Sequence, residues 1–387
     1  MKVYTTKDIL EIEERYNSKE DISRYNKIWF QNIPGTRKAG IKFLMYDYEI
    51  REYIKCFNSI EYFTDYCNIK NEDGAVGKIE LRDYQKEILK QFDNKYSIIL
   101  KSRQMGITAV LIISLLHFML FNENKTIVIM ANKGMTVREI MRKFKDIYKL
   151  LPFYLKQGIV NWNEKQIVFE NGSRIVTMAR SIEIPDSYKD SDVFYIDEFA
   201  KIPENIIVPM YMKIFQNLKE DARLIIASSP SGFNLFYELV QRSELPTLHP
   251  DKNMFKTLRL YWWQVPGRQD TKLRFIDSKL KKYNITKETV LENLKDMDLD
   301  IYDKKIDDET YYFIKYNAYN RKTYISEIRK IDFNNVPLSD ISRITNWKEE
   351  MTLMVGGEDV FRQEYDLSFT PSINYYKDSL DKIIFIN

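Results

Sequence analysis

The residue types best suited to chemistry lie in one short polar stretch between two apolar runs. The stretch consists of Leu100, Lys101, Ser102, Arg103, Gln104, Met105, Gly106, Ile107 and Thr108. The mainly apolar residues 97–100 before it and the long apolar segment 109–121 after it predict a strand, a loop and a helix. A tight turn that opens a helix directs several backbone N–H groups and the helix dipole at one anion. The stretch therefore predicts a phosphate-binding loop, with an ordinary strand-to-helix turn as the alternative.

The loop departs from the common phosphate-binding motif G-x-x-x-x-G-K-[ST] in the position of its lysine. Aligning Gly106 and Thr108 with the second glycine and the Ser/Thr of the motif places Ile107 where the lysine belongs. Lys101 then stands where the first glycine belongs, so the positive charge lies at the front of the loop. A lysine there can fold over the loop toward the β- and γ-phosphates, while the Thr108 hydroxyl keeps its role on Mg²⁺.

A second candidate is a pair of acids, Asp197 and Glu198, which directly follows the apolar residues 193–196. In P-loop ATPases an Asp at the end of a buried strand holds Mg²⁺ and the next carboxylate polarises the attacking water. Two adjacent carboxylates at a strand end are costly unless cations neutralise them, and Mg²⁺ with Lys101 and Arg103 would do so. The alternative is a pair of solvated acids opening a loop. Given the phosphate-type loop upstream, we favour the catalytic interpretation.

Two further groups fit the same machinery. A glutamine just ahead of a phosphate loop, with an aromatic neighbour, suits adenine recognition, and Tyr84 and Gln85 stand there on a short predicted helix over residues 81–89. The alternative is a surface glutamine beside a half-buried tyrosine. A strand over residues 223–227 leads into Ser228, Ser229 and Gly232, a hydroxyl turn placed to report hydrolysis, or simply a turn.

The composition narrows the class of protein. The 387 residues, 44% of them apolar, suffice for one large core or two domains, and neither a run of 18 apolar residues nor a signal-peptide core occurs. We therefore expect a globular, cytoplasmic protein without a membrane partner.

Cys56 and Cys67 are the only cysteines, which excludes a disulfide framework or a cysteine-rich zinc site, and both are expected to be reduced and partly buried. With His117 and His249 as the only histidines, a general base should be a carboxylate.

Several elements follow from the apolar pattern. Residues 126–131 predict a parallel strand buried on both faces, residues 135–151 a helix, and residues 166–178 a hairpin around Asn171 and Gly172. Residues 8–16, 286–297 and 311–331 predict helices, and residues 32–36 a turn. The net charge of +3 neither requires nor excludes nucleic acid, since a local basic groove can bind phosphates.

Taken together, the motifs resemble the ATPase domain of the large terminase subunit, the DNA-packaging motor of tailed double-stranded DNA bacteriophages. The resembling stretches are LRDYQ at 81–85, KSRQMGIT at 101–108, IVNWN at 159–163, FYIDEFA at 194–200, SPSGFN at 229–234 and VFRQEY at 360–365. They follow the family order, from about residue 60 to 270 and again near 355 to 370. Six motifs in order are far more specific than any one of them.

The resemblance implies an α/β P-loop NTPase fold of the ASCE, RecA-like type: a mainly parallel sheet with helices on both faces, and a smaller helical lid subdomain. It implies ATP and Mg²⁺ as cofactors, with Tyr84 and Gln85 at the adenine and Thr108 and Asp197 on the metal. Glu198 would be the catalytic carboxylate. By the same resemblance Arg103 corresponds to an arginine finger. The loop backbone would bind phosphate, and Ser228, Ser229 and Gly232 would form the coupling motif.

The same resemblance implies partners and a place of action. They are double-stranded DNA, held by its backbone without base readout, the portal protein of the procapsid and a small terminase subunit. The chain would act as a homo-oligomeric ring and be a monomer alone. It would work in the host cytoplasm, transiently at the portal vertex.

The chain also differs from the family pattern. Ile107 replaces the usual loop lysine, and we expect Lys101 to substitute for it and keep the site active. The sequence stops at Asn387, where the family continues into an RNase H-like nuclease domain, so we expect no nuclease activity from these residues. We divide the chain into an N-terminal segment packed with the lid (1–60), the ATPase core (61–270) and an enlarged lid (271–387).

Two alternatives to an ATP-hydrolysing packaging motor remain. One is a structural, terminase-like subunit that keeps the fold without turning over ATP. Intact Glu198 and Arg103 argue against it. The other is a superfamily 2-like helicase, which would need a second RecA-like domain after residue 270 and an Ala-Asp or Ala-His after the acid pair. The chain has Phe199 and Ala200 there.

Overall fold

The structure, a computed structural model, describes most of the chain in two compact units. The described residues are 28–70, 75–179, 190–268, 271–286, 300–306, 309–315 and 341–370, with short pieces at 4–5, 7, 10, 188, 289, 332–333 and 336–337. The first unit comprises Met1–Leu260 and Leu367–Asn387, and the second comprises Tyr261–Asp366. Apart from residues 10, 286 and 289, the helices predicted over 8–16 and 286–297 lie outside the described residues.

The first unit is built on an eight-stranded sheet. Its strands are β5 (Tyr96–Lys101), β6 (Thr126–Ala131), β7 (Ile159–Trp162), β8 (Gln166–Phe169), β9 (Arg174–Ala179), β10 (Ser191–Asp197), β11 (Leu218–Ser228) and β12 (Lys256–Leu260). Two small two-stranded sheets are separate from it. One pairs β1 (Tyr4–Thr5) with β2 (Phe43–Leu44), and the other pairs β3 (Asn68–Lys70) with β4 (Val76–Lys78). The order in the large sheet is β12-β5-β11-β10-β6-β9-β8-β7. All neighbours from β12 to β9 are parallel, and β8 and β7 continue the sheet antiparallel.

The parallel register brings the candidate chemistry to one edge of this sheet. Asp197 at the end of β10 lies opposite Ala227 of β11 and Ala131 of β6, and Ser228 lies opposite Leu100 of β5. Because parallel strands end at the same edge, the loop after β5, the acids after β10 and the serines after β11 meet there. Strands β5, β6 and β10 are buried along nearly their whole length, and β11 is buried in its second half, as their continuous apolar runs predicted.

Helices flank the sheet. Those of the first unit include α1 (Asp47–Asn58), α2 (Ile60–Thr64), α3 (Asp83–Gln91), α4 (Ile107–Phe121), α5 (Gly134–Leu150), α6 (Glu204–Asn217) and α7 (Leu235–Ser243), with 3₁₀ turns at Phe30–Asn32, Phe153–Leu155 and Phe199–Lys201. Helix α4 is apolar on all sides and almost wholly buried, as a helix of that composition must be. The mainly parallel α/β architecture predicted from the sequence, including the hairpin of β8 and β9 at Asn171 and Gly172, is confirmed.

The N-terminal region packs on the sheet of its own unit. Arg37 pairs with Glu170 at 3.1 Å, and its backbone carbonyl accepts a hydrogen bond from the N–H of Ile159 in β7 at 2.7 Å. Trp29 packs edge-on against Phe153, with ring centroids 6.0 Å apart. Residues 28–60 thus belong to the unit of the large sheet, and their packing with a lid stays a prediction.

The second unit is not the helical lid that the sequence predicted. Its elements are β13 (Thr271–Ile276), α8 (Asp277–Lys282), β14 (Asp300–Ile306), β15 (Glu309–Lys315), β16 (Asp332–Phe333), β17 (Val336–Pro337), β18 (Ser342–Asn346), α9 (Trp347–Met354), α10 (Glu358–Glu364) and a 3₁₀ turn at Trp262–Gln264. Four of the strands form an antiparallel sheet in the order β14-β15-β13-β18. The helix predicted over 311–331 is wrong from 311 to 315, where β15 runs with β13 and β14 on either side.

The two cysteines and His117 are buried or half-buried in the first unit. Cys56 and Cys67 are free thiols and fully buried, more so than predicted. His117 lies 2.8 Å from the carbonyl oxygen of Cys56, and burial lowers its pKa. Within the described ranges no helix is both long and apolar enough to cross a bilayer.

Candidate functional site

The phosphate-type loop has a backbone that depends on left-handed conformations. Strand β5 ends at Lys101 and helix α4 begins at Ile107, and between them Gln104 has φ +57° and Gly106 has φ +72°. A Cβ at Gly106 would lie 2.8 Å from Nε2 of Gln85, closer than a side-chain contact allows. Gly106 therefore serves both the turn and the close approach of Gln85.

Gly106→Ala is expected to lower the free energy of unfolding by about 1–2 kcal/mol, because alanine resists positive φ and its Cβ would displace Gln85. Gly134→Ala is the matched control, since Gly134 begins helix α5 without a positive φ and its nearest neighbour to a Cβ is Arg138 Nη1 at 3.6 Å. Urea unfolding of both variants checks the prediction. Equal effects at the two positions would contradict it.

Tyr84 and Gln85 brace this loop from helix α3. The hydroxyl of Tyr84 and the side-chain amide of Gln85 both donate to the carbonyl oxygen of Met105, at 2.9 and 3.2 Å. The side-chain oxygen of Gln85 accepts the N–H of Arg82 at 3.0 Å. Both side chains are buried, so the alternative of a surface glutamine beside a half-buried tyrosine is wrong. Their hydrogen bonds to the loop were not predicted, and their role at the adenine stays a prediction.

Lys101 reaches from the front of the loop to the acid pair. Its Nζ lies 3.0 Å from Oε1 of Glu198, and only 8% of the residue is exposed. The two residues are 97 positions apart in the chain, and the parallel order of β5, β11 and β10 brings them together. At the position of the usual loop lysine, Ile107 is the first residue of α4 and is buried in the core. The lysine that the loop contributes to the site is therefore Lys101, and not the residue before Thr108.

Glu198 is held by a second lysine that sequence analysis did not single out. Nζ of Lys201, one helical turn further on, lies 3.0 Å from Oε2 of Glu198. Burial acts to raise the pKa of the Glu198 carboxyl, but the charges of Lys101 and Lys201 outweigh it and lower the pKa to about 2. Glu198 also has φ +54°, an uncommon conformation for a glutamate and one that concentrates at functional sites.

The lowered pKa of Glu198 predicts a pH-dependent stability. Its carboxyl ionises near 4.5 in the unfolded chain and near 2 in the folded one, so its ion pairs contribute about 3 kcal/mol above pH 4.5. This contribution is lost as the pH falls from 4.5 toward 2. The difference in unfolding free energy between the parent and Glu198→Gln should therefore shrink between pH 6 and pH 3. A difference that does not change with pH would contradict the ion-pair geometry.

Asp197 lies at the end of β10 and is the deepest acid of the site. It is 4% exposed, and its Oδ1 accepts the backbone N–H of Glu198 at 3.0 Å. Burial raises the pKa of its carboxyl, Lys101 opposes the shift, and Glu198 adds to it. The solvated-acid alternative for the pair is thus wrong for Asp197. A buried carboxylate with a raised pKa favours a cation beside it.

Oxygen groups suited to Mg²⁺ converge on Asp197. Tyr195 precedes Asp197 by two residues and lies on the same face of β10. The side chains of Asp197 and Thr108 are polar neighbours of the Tyr195 hydroxyl. That hydroxyl is buried and lacks a partner of hydrogen-bonding geometry among the described residues. Carboxylate and hydroxyl oxygens are ligands that Mg²⁺ takes in small number, with phosphate and water completing the shell. In the described part of the chain no set of three or more His, Cys, Asp or Glu side chains could hold a metal by itself.

The other predicted residues border this arrangement. Ser102 is buried and donates its N–H to the carbonyl of Leu260 in β12 at 2.9 Å, and Met105 is buried beneath the loop. Arg103 and Gln104 are exposed at the loop surface. The structure thus brings Lys101, Asp197 and Glu198 together and leaves the arginine facing outward.

A hydrogen-bonded link joins the acid pair to the turn after β11. The hydroxyl of Ser228 accepts the N–H of Ala200 at 3.1 Å and donates to the carbonyl of Ser229 at 2.8 Å. Asn234 donates to the carbonyls of Ala200 and Ser231 at 2.8 and 2.9 Å while its Oδ1 caps helix α7. Asn234 ends the stretch SPSGFN, but the sequence did not predict its hydrogen bonds in the site. The sequence likewise did not predict the positions of Tyr195 and Lys201 in the site.

One protein family matches the part of the chain that contains most of this site. Residues 98–290 match the family described as terminase large subunit, T4likevirus-type, N-terminal. That range includes the loop, the acid pair and the serine turn, but not Tyr84 and Gln85.

Solved structures of phage terminases are also similar. The large terminase ATPase domain of Thermus phage P74-26 is 15% identical, with 75% of this chain and 94% of that domain covered and a TM-score of 0.41. The large terminase of a thermophilic bacteriophage, solved in complex with ADP, is 11% identical, with 80% of this chain and 75% of that one covered and a TM-score of 0.37. The HK97 bacteriophage large terminase is 14% identical, with 48% of this chain and 41% of that one covered and a TM-score of 0.41. This chain therefore spans less than half of that protein.

The family match thus falls on the residues that build the site at the sheet edge. The chain belongs to the family of large terminase subunits and carries the stretch that matches their N-terminal region.

Proposed function

We propose that this chain is the ATP-hydrolysing motor of a viral DNA-packaging terminase, and that it couples ATP hydrolysis to translocation of double-stranded DNA into a procapsid. The observation that carries the proposal is the contact between Lys101 and Glu198 at 3.0 Å. It joins the phosphate-type loop and the acid pair in one place, which a strand-to-helix turn and an unrelated acidic loop would not require.

The residues divide the work of binding between them. Thr108 and Asp197 would hold Mg²⁺, which when bound neutralises charge on the transferring phosphoryl group. The backbone of residues 102–108 at the start of α4 would bind the phosphates, and Lys101 would offset the charge of the β- and γ-phosphates. Tyr84 and Gln85 would contact the adenine edge while bracing Met105 from behind.

Glu198 would orient the water that attacks the γ-phosphorus in line with the β–γ bridge. The oxygen–phosphorus bond to water forms as the bridging bond breaks, ADP leaves with the bridging oxygen, and the water proton passes by way of Glu198 to the phosphate. With its pKa near 2, Glu198 is a weak base while both lysines hold it. Transfer of Lys101 to the phosphates would raise that pKa, so that binding of ATP prepares the base.

Arg103 would stabilise charge on the transferring phosphoryl group as an arginine finger, and its exposed position suits contact with nucleotide at the mouth of the site. After hydrolysis, loss of the γ-phosphate would change the turn of Ser228, Ser229 and Gly232. The links from Ser228 and Asn234 to Ala200 offer a route for that change.

The partners follow from the same proposal. DNA would be held by its backbone through lysine and arginine, weakly in the monomer and with strong salt dependence. A homo-oligomeric ring would act at the portal vertex of the procapsid in the host cytoplasm, with a small terminase subunit recruiting the DNA.

ATP-dependent displacement of the third strand from a DNA triplex, measured over a range of chain concentrations, tests translocation. We expect displacement with Mg²⁺ and ATP that rises steeply with concentration, since ring contacts complete the motor. Separation of duplex strands instead would favour the helicase alternative. Nucleotide binding without phosphate release or displacement at any concentration would overturn the motor and favour the non-hydrolysing subunit.

A further inference from the structure

The hydroxyl of Tyr195 is a buried polar group that neither the loop motif nor the acid motif explains. The residue is fully buried in β10, and its hydroxyl has no partner of hydrogen-bonding geometry in the described chain. Leaving a hydroxyl unpaired in the interior costs free energy, and native proteins rarely do so without a reason. Phenylalanine would fill the space of the Tyr195 ring without that cost. The neighbouring residue, Phe194, is a phenylalanine buried on the opposite face of the strand.

The position of the hydroxyl suggests the reason. Its polar neighbours are the side chains of Thr108, in the first turn of helix α4, and of Asp197, at the end of β10. A threonine hydroxyl can offer its lone pair to a cation only if its O–H bond points elsewhere, to an acceptor. The Tyr195 oxygen is such an acceptor, and its own O–H then needs a carboxylate, for which Asp197 retains Oδ2 while Oδ1 holds the N–H of Glu198.

We propose that Tyr195 is a positioning residue of the magnesium site, which closes a chain of hydrogen bonds from the Thr108 hydroxyl through Tyr195 to Asp197 when the metal binds. The chain fixes the Thr108 lone pair and the Asp197 carboxylate toward one cation. This inference rests on the proposed function, because it requires that Thr108 and Asp197 hold Mg²⁺.

Tyr195→Phe tests the proposal by a binding measurement that does not depend on turnover. Binding of a fluorescent ADP to the full chain is followed while Mg²⁺ is titrated, and the melting temperature is measured without nucleotide or metal. Loss of a group that orients metal ligands typically weakens metal binding ten- to hundredfold. We expect the Mg²⁺ midpoint to rise by about that factor, with the metal-free melting temperature unchanged or slightly raised.

Tyr148→Phe is the matched control, since Tyr148 is equally buried but its hydroxyl donates to the carbonyl of Gln157 at 2.6 Å. It should lower the melting temperature and leave the Mg²⁺ midpoint unchanged. A parental midpoint in Tyr195→Phe would overturn the role of Tyr195 alone, with the proposed function intact. Nucleotide binding by the parent that does not respond to Mg²⁺ would overturn the magnesium site and, with it, both proposals.

Discussion

Glu198→Gln is expected to lower the steady-state rate of ATP hydrolysis by about a hundredfold to a thousandfold, while ATP still binds. The amide keeps the size of the side chain but can neither orient water as strongly as a carboxylate nor accept its proton. Because Lys101 and Lys201 would remain beside an uncharged group, ATP phosphates should replace the lost negative charge. The affinity for ATP should therefore be kept or increased.

The measurement pairs phosphate release with equilibrium binding of ATP. Glu204→Gln is a suitable control, since Glu204 lies in the first turn of helix α6, after the 3₁₀ turn that follows the acid pair. It should hydrolyse ATP at the parental rate. Retention of parental turnover by Glu198→Gln would remove Glu198 from the catalytic role.

Lys101→Ala is expected to lower kcat/KM for ATP by a similar factor, about a hundredfold or more, and to destabilise the protein without nucleotide. The lysine is buried at the front of the loop, and its removal takes one positive charge from the phosphate site and one partner from Glu198. Breaking a buried ion pair from one side costs about 3 kcal/mol, because the remaining charge stays in the interior.

Lys201→Ala separates these two effects. This substitution removes the other ion-pair partner of Glu198. Lys201 lies in the 3₁₀ turn after the acid pair and not in the phosphate-type loop. Both variants should raise the pKa of Glu198, and only Lys101→Ala should also weaken ATP binding. If Lys101→Ala binds and hydrolyses ATP as the parent does, the substitution of Lys101 for the usual loop lysine is refuted.

The central sheet and the position of the site were predictable because they depend on local apolar pattern. Strands buried on both faces are continuous apolar runs, and the polar residues that end them must meet at one edge when the strands are parallel. The sequence motifs assigned the loop, Asp197, Glu198 and Ser228 to one nucleotide site, and the parallel strand order explains why they meet. The sequence analysis did not predict helix α6, which is fourteen residues long and contains Pro209.

The details of the site depended on contacts that pattern does not encode. Lys201 lies in a short turn that no motif marks, and its contact with Glu198, which has a left-handed backbone, was seen only in the structure. Tyr195 was counted as one more apolar residue of a strand, because nothing in the sequence marks a buried hydroxyl without a partner. Gln85 was assigned to adenine, and its present bonds to Met105 and Arg82 depend on the packing of α3 against the loop.

The second unit was mispredicted for a physical reason. Alternation in Tyr311 and its neighbours is obscured by consecutive aromatic and apolar residues, which fit a helical face as well as a strand. In the structure the strand is fixed by pairing with β13 on one side and with β14 on the other. Such non-local pairing overrides local propensity.

The central claim is that Lys101, Asp197 and Glu198 form one ATP-hydrolysing site, and phosphate release from ATP by the unmodified chain tests it most directly. The rate should be measured with Mg²⁺ and with a chelator, at several chain concentrations and with double-stranded DNA present. The account predicts release that requires Mg²⁺ and exceeds that of Glu198→Gln at least about a hundredfold. Release no faster than that of Glu198→Gln, even from concentrated chain with DNA, would contradict it.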